Sequence, residues 1–181
     1  FTGLSWQYTR HWKNSVTLAE YTIARLPDRF ICHDTVGKVF LQNNRIDKAL
    51  SHLRIALHTN PSSAELHLYL GIALQASGKT NQAIHHFKKA LTLDPYSAKA
   101  YHNLGNALFD NGDTEAAISC YNKALALDPA AYGTYNSLAV AYAHLGDMRK
   151  AKACLQKALQ INPAYYSARK NLEILRQLSK E

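Results

Sequence analysis

Residues 98–129 read AKAYHNLGNALFDNGDTEAAISCYNKALALDP, and the chain answers this stretch when it is shifted by 34 residues in either direction. The five prolines, Pro27, Pro61, Pro95, Pro129 and Pro163, stand one such step apart. A glycine column reads Gly3, Gly37, Gly71 and Gly105 and gives way to Ala139, with Val36, Leu70, Leu104, Leu138 and Leu172 in a neighbouring column. A second turn column holds Asn44, Gly78, Gly112 and Gly146. Two alanine columns, Ala49 to Ala151 and Ala56 to Ala158, flank the large residues Leu53, Phe87, Tyr121 and Leu155. A repeat of this size marks a unit that cannot bury its own apolar face and must stack on copies of itself.

Each unit reads as two helices. Val36, Gly37 and Phe40 share a face of the first, and Ala49, Leu53, Ala56 and Leu57 share a face of the second, both at i, i+3, i+4 spacing. The glycine column is expected where the two helices touch, because a side chain there would hold them apart. Gly78, Gly112 and Gly146 are expected to end first helices in the left-handed conformation, Asp113 and Asp147 to cap the helices that follow, and the prolines to close them.

Period and columns together resemble the tetratricopeptide repeat family over about residues 30–178. That resemblance implies an all-α, right-handed α-α superhelix of non-catalytic, protein-binding character. The expected organisation is a partial, degenerate repeat at 1–29, four repeats at 30–63, 64–97, 98–131 and 132–163, and a capping helix at 164–181. The wording NLGNAL at 103–108 is similar to the repeats of the nucleocytoplasmic O-linked glucosamine transferase, whose groove carries an asparagine ladder. Here Thr35, Tyr69 and Ser137 interrupt such a ladder. One column departs from the pattern: His33 and His67 stand where Tyr101 and Tyr135 follow, which predicts looser packing in the early units.

Hydrophobic residues make up 47% of the chain and charged ones 19%, which excludes a disordered segment. The net charge of +8 is scattered over all units, paired at Lys88–Lys89, Arg149–Lys150 and Arg169–Lys170 but never in a sustained run, so a nucleic-acid partner is not expected. Cys32, Cys120 and Cys154 form no paired spacing, which favours a reducing compartment such as the cytoplasm over a disulfide framework. The opening stretch FTGLSWQYTRHWKNSVTLAEYTIARLPD admits two readings. It is either an atypical terminal repeat, or similar to the segment joining a membrane anchor to the repeats in membrane proteins of glycosyltransferase type. On the second reading the chain would be a regulatory or substrate-recruiting tail of a larger membrane enzyme. Self-association through the array ends, by Leu4, Trp6 and Val16, is a further expectation.

No nucleophile elbow, phosphate loop or metalloprotease motif occurs, and no cofactor is expected. His52, His86, Cys120 and Cys154 form a row in register, but stacked helices about 8–10 Å apart cannot bring them onto one ion. The expected site is the concave face of the first helices, where a protein or peptide partner would lie. By helical spacing this peptide-binding groove comprises Lys38, then Leu68, Tyr69 and Ile72, then Lys99, His102, Asn103, Asn106 and Phe109, then Asn136 and Val140, with Gln75, Asp110 and Asn171 on the same face. Leu68, Tyr69 and Ile72 are expected as an exposed apolar patch, and the asparagines as partners for an extended backbone.

Overall fold

The computed structural model describes residues 15–25 and 33–178. Residues outside these ranges, among them Gly3, Leu4, Trp6, Pro27 and Cys32, carry expectations that lie beyond the described part. Among the described residues ten helices follow one another: α1 Ser15–Arg25, α2 His33–Gln42, α3 Ile46–Thr59, α4 Ala64–Ala76, α5 Thr80–Leu93, α6 Ala98–Asp110, α7 Thr114–Leu127, α8 Tyr132–His144, α9 Met148–Ile161 and α10 Tyr166–Leu178. The molecule is an all-α superhelical solenoid, with no strand among the described residues.

The closest helix pairs are α2 with α3, α4 with α5, α6 with α7 and α8 with α9. Their contact is made by the glycine column. A β-carbon on Gly37 would come within 2.7 Å of Leu53, and one on Gly105 within 2.6 Å of Tyr121. In the fourth pair the partner is Leu155, and Ala139 fits at 1% exposure. The alanine columns explain the rest of the seam. Ala49, Ala83, Ala117 and Ala151 are wholly buried, since each stands where helices press too closely for a longer side chain. Phe40, Phe87 and Tyr121 fill the space between, each contributing about 2–3 kcal/mol by leaving water.

Turns within the units are built alike. Gly78, Gly112 and Gly146 adopt φ of 78°, 88° and 80°, and Asn44 does the same at 57°. At the end of α4, Gly78 N–H donates to Gln75 O and Lys79 N–H to Leu74 O, the paired bonds of a Schellman close. Asp113 and Asp147 accept from the amides of Ala116 and Lys150, as their position predicts, and Ser63 and Ser97 cap α4 and α6 in the same way. The residue before each of the last three prolines adds a device the period alone does not reveal. Carboxylate or carboxamide oxygens of Asp94, Asp128 and Asn162 accept the amides of Tyr96, Ala130 and Ala164, fixing the bend between units.

First helices also meet one another directly, α2 with α4, α4 with α6, α6 with α8 and α8 with α10, whereas second helices meet chiefly their sequence neighbours. The first helices therefore line the inner, tighter side of the superhelix. Val16 and Ile23 of α1 pack against the same core from the amino-terminal side. No helix among the described residues is long and apolar enough to cross a membrane.

Candidate functional site

The inner face divides into three stretches of different chemistry. At the amino-terminal end Tyr69 lies between two lysines: the ammonium groups of Lys38 and Lys99 stand 5.0 and 4.8 Å from its ring centre. Lys38 also pairs with Glu65 at 2.8 Å, while Lys99 donates to the Tyr69 hydroxyl at 3.4 Å. Leu68 does not belong to an exposed patch. At 6% exposure it is part of the core and forms the floor of a hollow of about 260 Å³ with Glu65, Tyr69 and Lys99. Ile72 and Tyr69 are half-buried against the same core, because the inner curvature brings neighbouring first helices onto them.

The middle stretch is polar. Gln75, Asn106, Phe109, Asp110, Asn136 and Val140 surround a hollow of about 290 Å³, with Gln75 donating to Asp110 at 2.6 Å. Asn106 is tied up within the protein. Its oxygen accepts the Tyr121 hydroxyl at 2.8 Å, and its nitrogen donates to His102 Nε2 at 3.1 Å. His102 must then hold its proton on Nδ1, which donates to the buried Thr134 hydroxyl at 3.0 Å. Burial pushes the His102 pKa down and that of the Tyr121 hydroxyl up. Asn103 bonds back to the Lys99 carbonyl of its own helix. Asn136 is different: its oxygen accepts from Asn171, and its two N–H donors have no partner among the described residues.

The carboxy-terminal stretch is apolar, and the groove expected from the sequence does not include most of it. Val140, Ala143, Met148, Leu155, Ile174 and Leu175 line a hollow of about 200 Å³, with Asn171 at its edge. Val140 and Ile174 keep 39% and 42% of their surface exposed. They occupy one repeat column with Asn106 and Ile72, a signal present in the sequence but obscured when α10 is read only as a cap.

Behind the groove, the early histidine column does not pack loosely. His67 is 7% exposed and bonded through both nitrogens, to Pro61 O and to His86 Nδ1. The row His52, His86, Cys120 and Cys154 faces this column, so His33 meets His52 as His67 meets His86. No group of three or more metal-ligating side chains gathers among the described residues.

A family model described as the tetratricopeptide repeat matches residues 98–130 and 133–165, and a second, described as TPR repeat, matches residues 73–112. These stretches of the chain are tetratricopeptide repeats. No curated protein matches the sequence at a significant level. Among solved structures the repeat array is similar to the crystal structure of MamA, at 28% identity over 80% of this chain and 84% of that one, with a TM-score of 0.71. It is also similar to TTC0263, a thermophilic TPR protein of Thermus thermophilus, at 20% identity over 97% and 95% of the two chains, with a TM-score of 0.77. The first TPR of Spaghetti (RPAP3), bound to the HSP90 peptide SRMEEVD, matches at 24% identity over 66% and 94%, with a TM-score of 0.64.

Proposed function

We propose that this tetratricopeptide repeat array is a non-catalytic scaffold that holds an extended peptide segment along its inner face. The observation that carries the reading is the carboxamide of Asn136, its two N–H donors without a partner among the described residues, at the junction of the polar and apolar hollows, which meet at Val140. Two N–H donors there suit the carbonyls of an extended backbone, and the hollow beside them suits one aliphatic side chain of that backbone. The Spaghetti domain, bound to the HSP90 peptide SRMEEVD, is an instance of this fold holding a peptide. In this reading Lys38, Tyr69 and Lys99 contact the opposite end of the segment, Leu68 and Ile72 support Tyr69 from beneath, and His102, Asn103, Asn106 and Phe109 shape the wall between. A rigid groove of this kind leaves most of the ordering cost with the ligand.

The test is selection from a displayed random-peptide library, followed by affinity measurement of the selected peptides on variants. Asn136→Ala and Ile174→Glu are expected to weaken binding by about tenfold or more while the melting temperature holds. Peptides that bind both variants as tightly as the parent would place the site elsewhere.

A further inference from the structure

The two histidine pairs behind the groove are not stacked rings. In each, the centroid separation, 5.0 and 5.2 Å, exceeds the Nδ1–Nδ1 distance, 2.7 and 2.9 Å, by about the radii of the two rings. The rings therefore meet edge to edge, close to one plane, nitrogen facing nitrogen. Such a contact needs one N–H and one lone pair. For His67 the roles are decided by chemistry: its Nε2 faces the Pro61 carbonyl, which only accepts, so Nε2 carries the proton and Nδ1 offers its lone pair to the Nδ1–H of His86.

We propose that the His33–His52 and His67–His86 pairs are a pH-sensitive latch between the helices of the first two complete repeats, closed when the imidazoles are neutral and released when both partners are protonated. A first proton, on the far nitrogen of His86, leaves the Nδ1–H···Nδ1 bond in place. A second converts the acceptor into a donor, and two cations then face each other at hydrogen-bond distance. The charged surroundings sharpen this. Lys48 of α3 acts on His52, with its ammonium also paired to Glu20 of α1; Lys89 and His85 of α5 act on His67; Arg54 of α3 and His85 act on His86. Among the described residues the side chains that act on His52, His67 and His86 are bases; two carboxylates, Glu20 and Asp47, line a hollow with His52, and Glu20 is already held by Lys48. Burial first, the paired histidine second and these neighbours third lower His52 and His86, the latter to about 4; burial also lowers His67, against the opposing pull of the Pro61 carbonyl.

The array contains its own control. The same two positions hold Tyr101 and Cys120 in the next repeat and Tyr135 and Cys154 in the one after, none of which gains a proton in this range. His102 of α6 bonds Thr134 of α8, which also carries His144, so the histidine-free α9 is the reference.

Amide hydrogen exchange of the full chain between pH 7 and 4.5, corrected for intrinsic rates, measures the latch. Protection in α2–α5 is expected to fall by about tenfold or more relative to α9, one decade for each unit of pKa displaced. The fourfold variant His33→Tyr, His52→Cys, His67→Tyr, His86→Cys is expected to remove the difference. Uniform loss across the array, or a fourfold variant that keeps the regional drop, overturns the proposal. Should that variant fail to fold, nitrogen-detected NMR of the parent decides: a His67 protonated on Nδ1 at neutral pH, or pairs titrating as free imidazoles, overturns it equally.

Discussion

Gly71 faces Phe87 so closely that a β-carbon would stand 2.5 Å from Cε1 of the ring, which is itself wholly buried. Neither side can yield, since the ring is enclosed and the helix backbone is held by its own hydrogen bonds. Gly71→Ala is expected to destabilise the array by about 1–3 kcal/mol in urea unfolding, although alanine is the better helix former. The opposite change at the fourth repeat, Ala139→Gly, opens space beside Leu155 and is expected to cost about 1 kcal/mol.

Asn44 occupies, at φ 57°, the turn position that the later repeats give to glycine. Asn44→Gly is expected to stabilise by a few tenths of a kcal/mol, and Gly112→Ala, at φ 88°, to destabilise by about 1–2 kcal/mol. Nothing lies within 4 Å of a β-carbon built on Gly112, so the thermal melt of Gly112→Ala reads backbone preference without a packing contribution.

The caps of the second helices differ from repeat to repeat. Asp113 accepts the Ala116 amide, while Lys79, at the equivalent position, makes no side-chain cap. Asp113→Ala is expected to lose about 1 kcal/mol and Lys79→Asp to gain a similar amount, measured as shifts of the denaturation midpoint at constant slope.

His102 gives a pH dependence that sits inside the groove wall. Burial lowers its pKa in the folded chain, so the unfolded chain takes up protons first as pH falls. The stability this neutral histidine confers is complete above about pH 6.5 and declines below it. The difference in unfolding free energy between the parent and His102→Gln is expected to shrink from pH 7.5 to 5. A difference independent of pH would mean that His102 takes up its proton equally in the folded and unfolded chain.

What the sequence makes legible follows the physics of each feature. The period, the helix pairs, the glycine contacts, the left-handed turns and the Asp113 and Asp147 caps all depend on residues close in sequence or one period apart, and they can be read directly. Leu68 reads as surface because its burial comes from neighbouring first helices converging on it, which helical spacing within one repeat does not register. The histidine pairs stay hidden while their two columns are taken separately, one as an imperfect aromatic column and the other as an outer row. The apolar hollow at Met148, Ile174 and Leu175 arises from three helices meeting, and no single helix announces it.

The contacts between first helices along the inner edge have a mechanical meaning. Bending that closes the superhelix compresses side chains already touching, whereas bending that opens it only parts them, with the second helices free to draw together outside. The array is thus a spring that resists narrowing more than widening, and a segment lying along its inner edge from Tyr69 to Ile174 would act as a strut, setting the pitch of the protein that holds it.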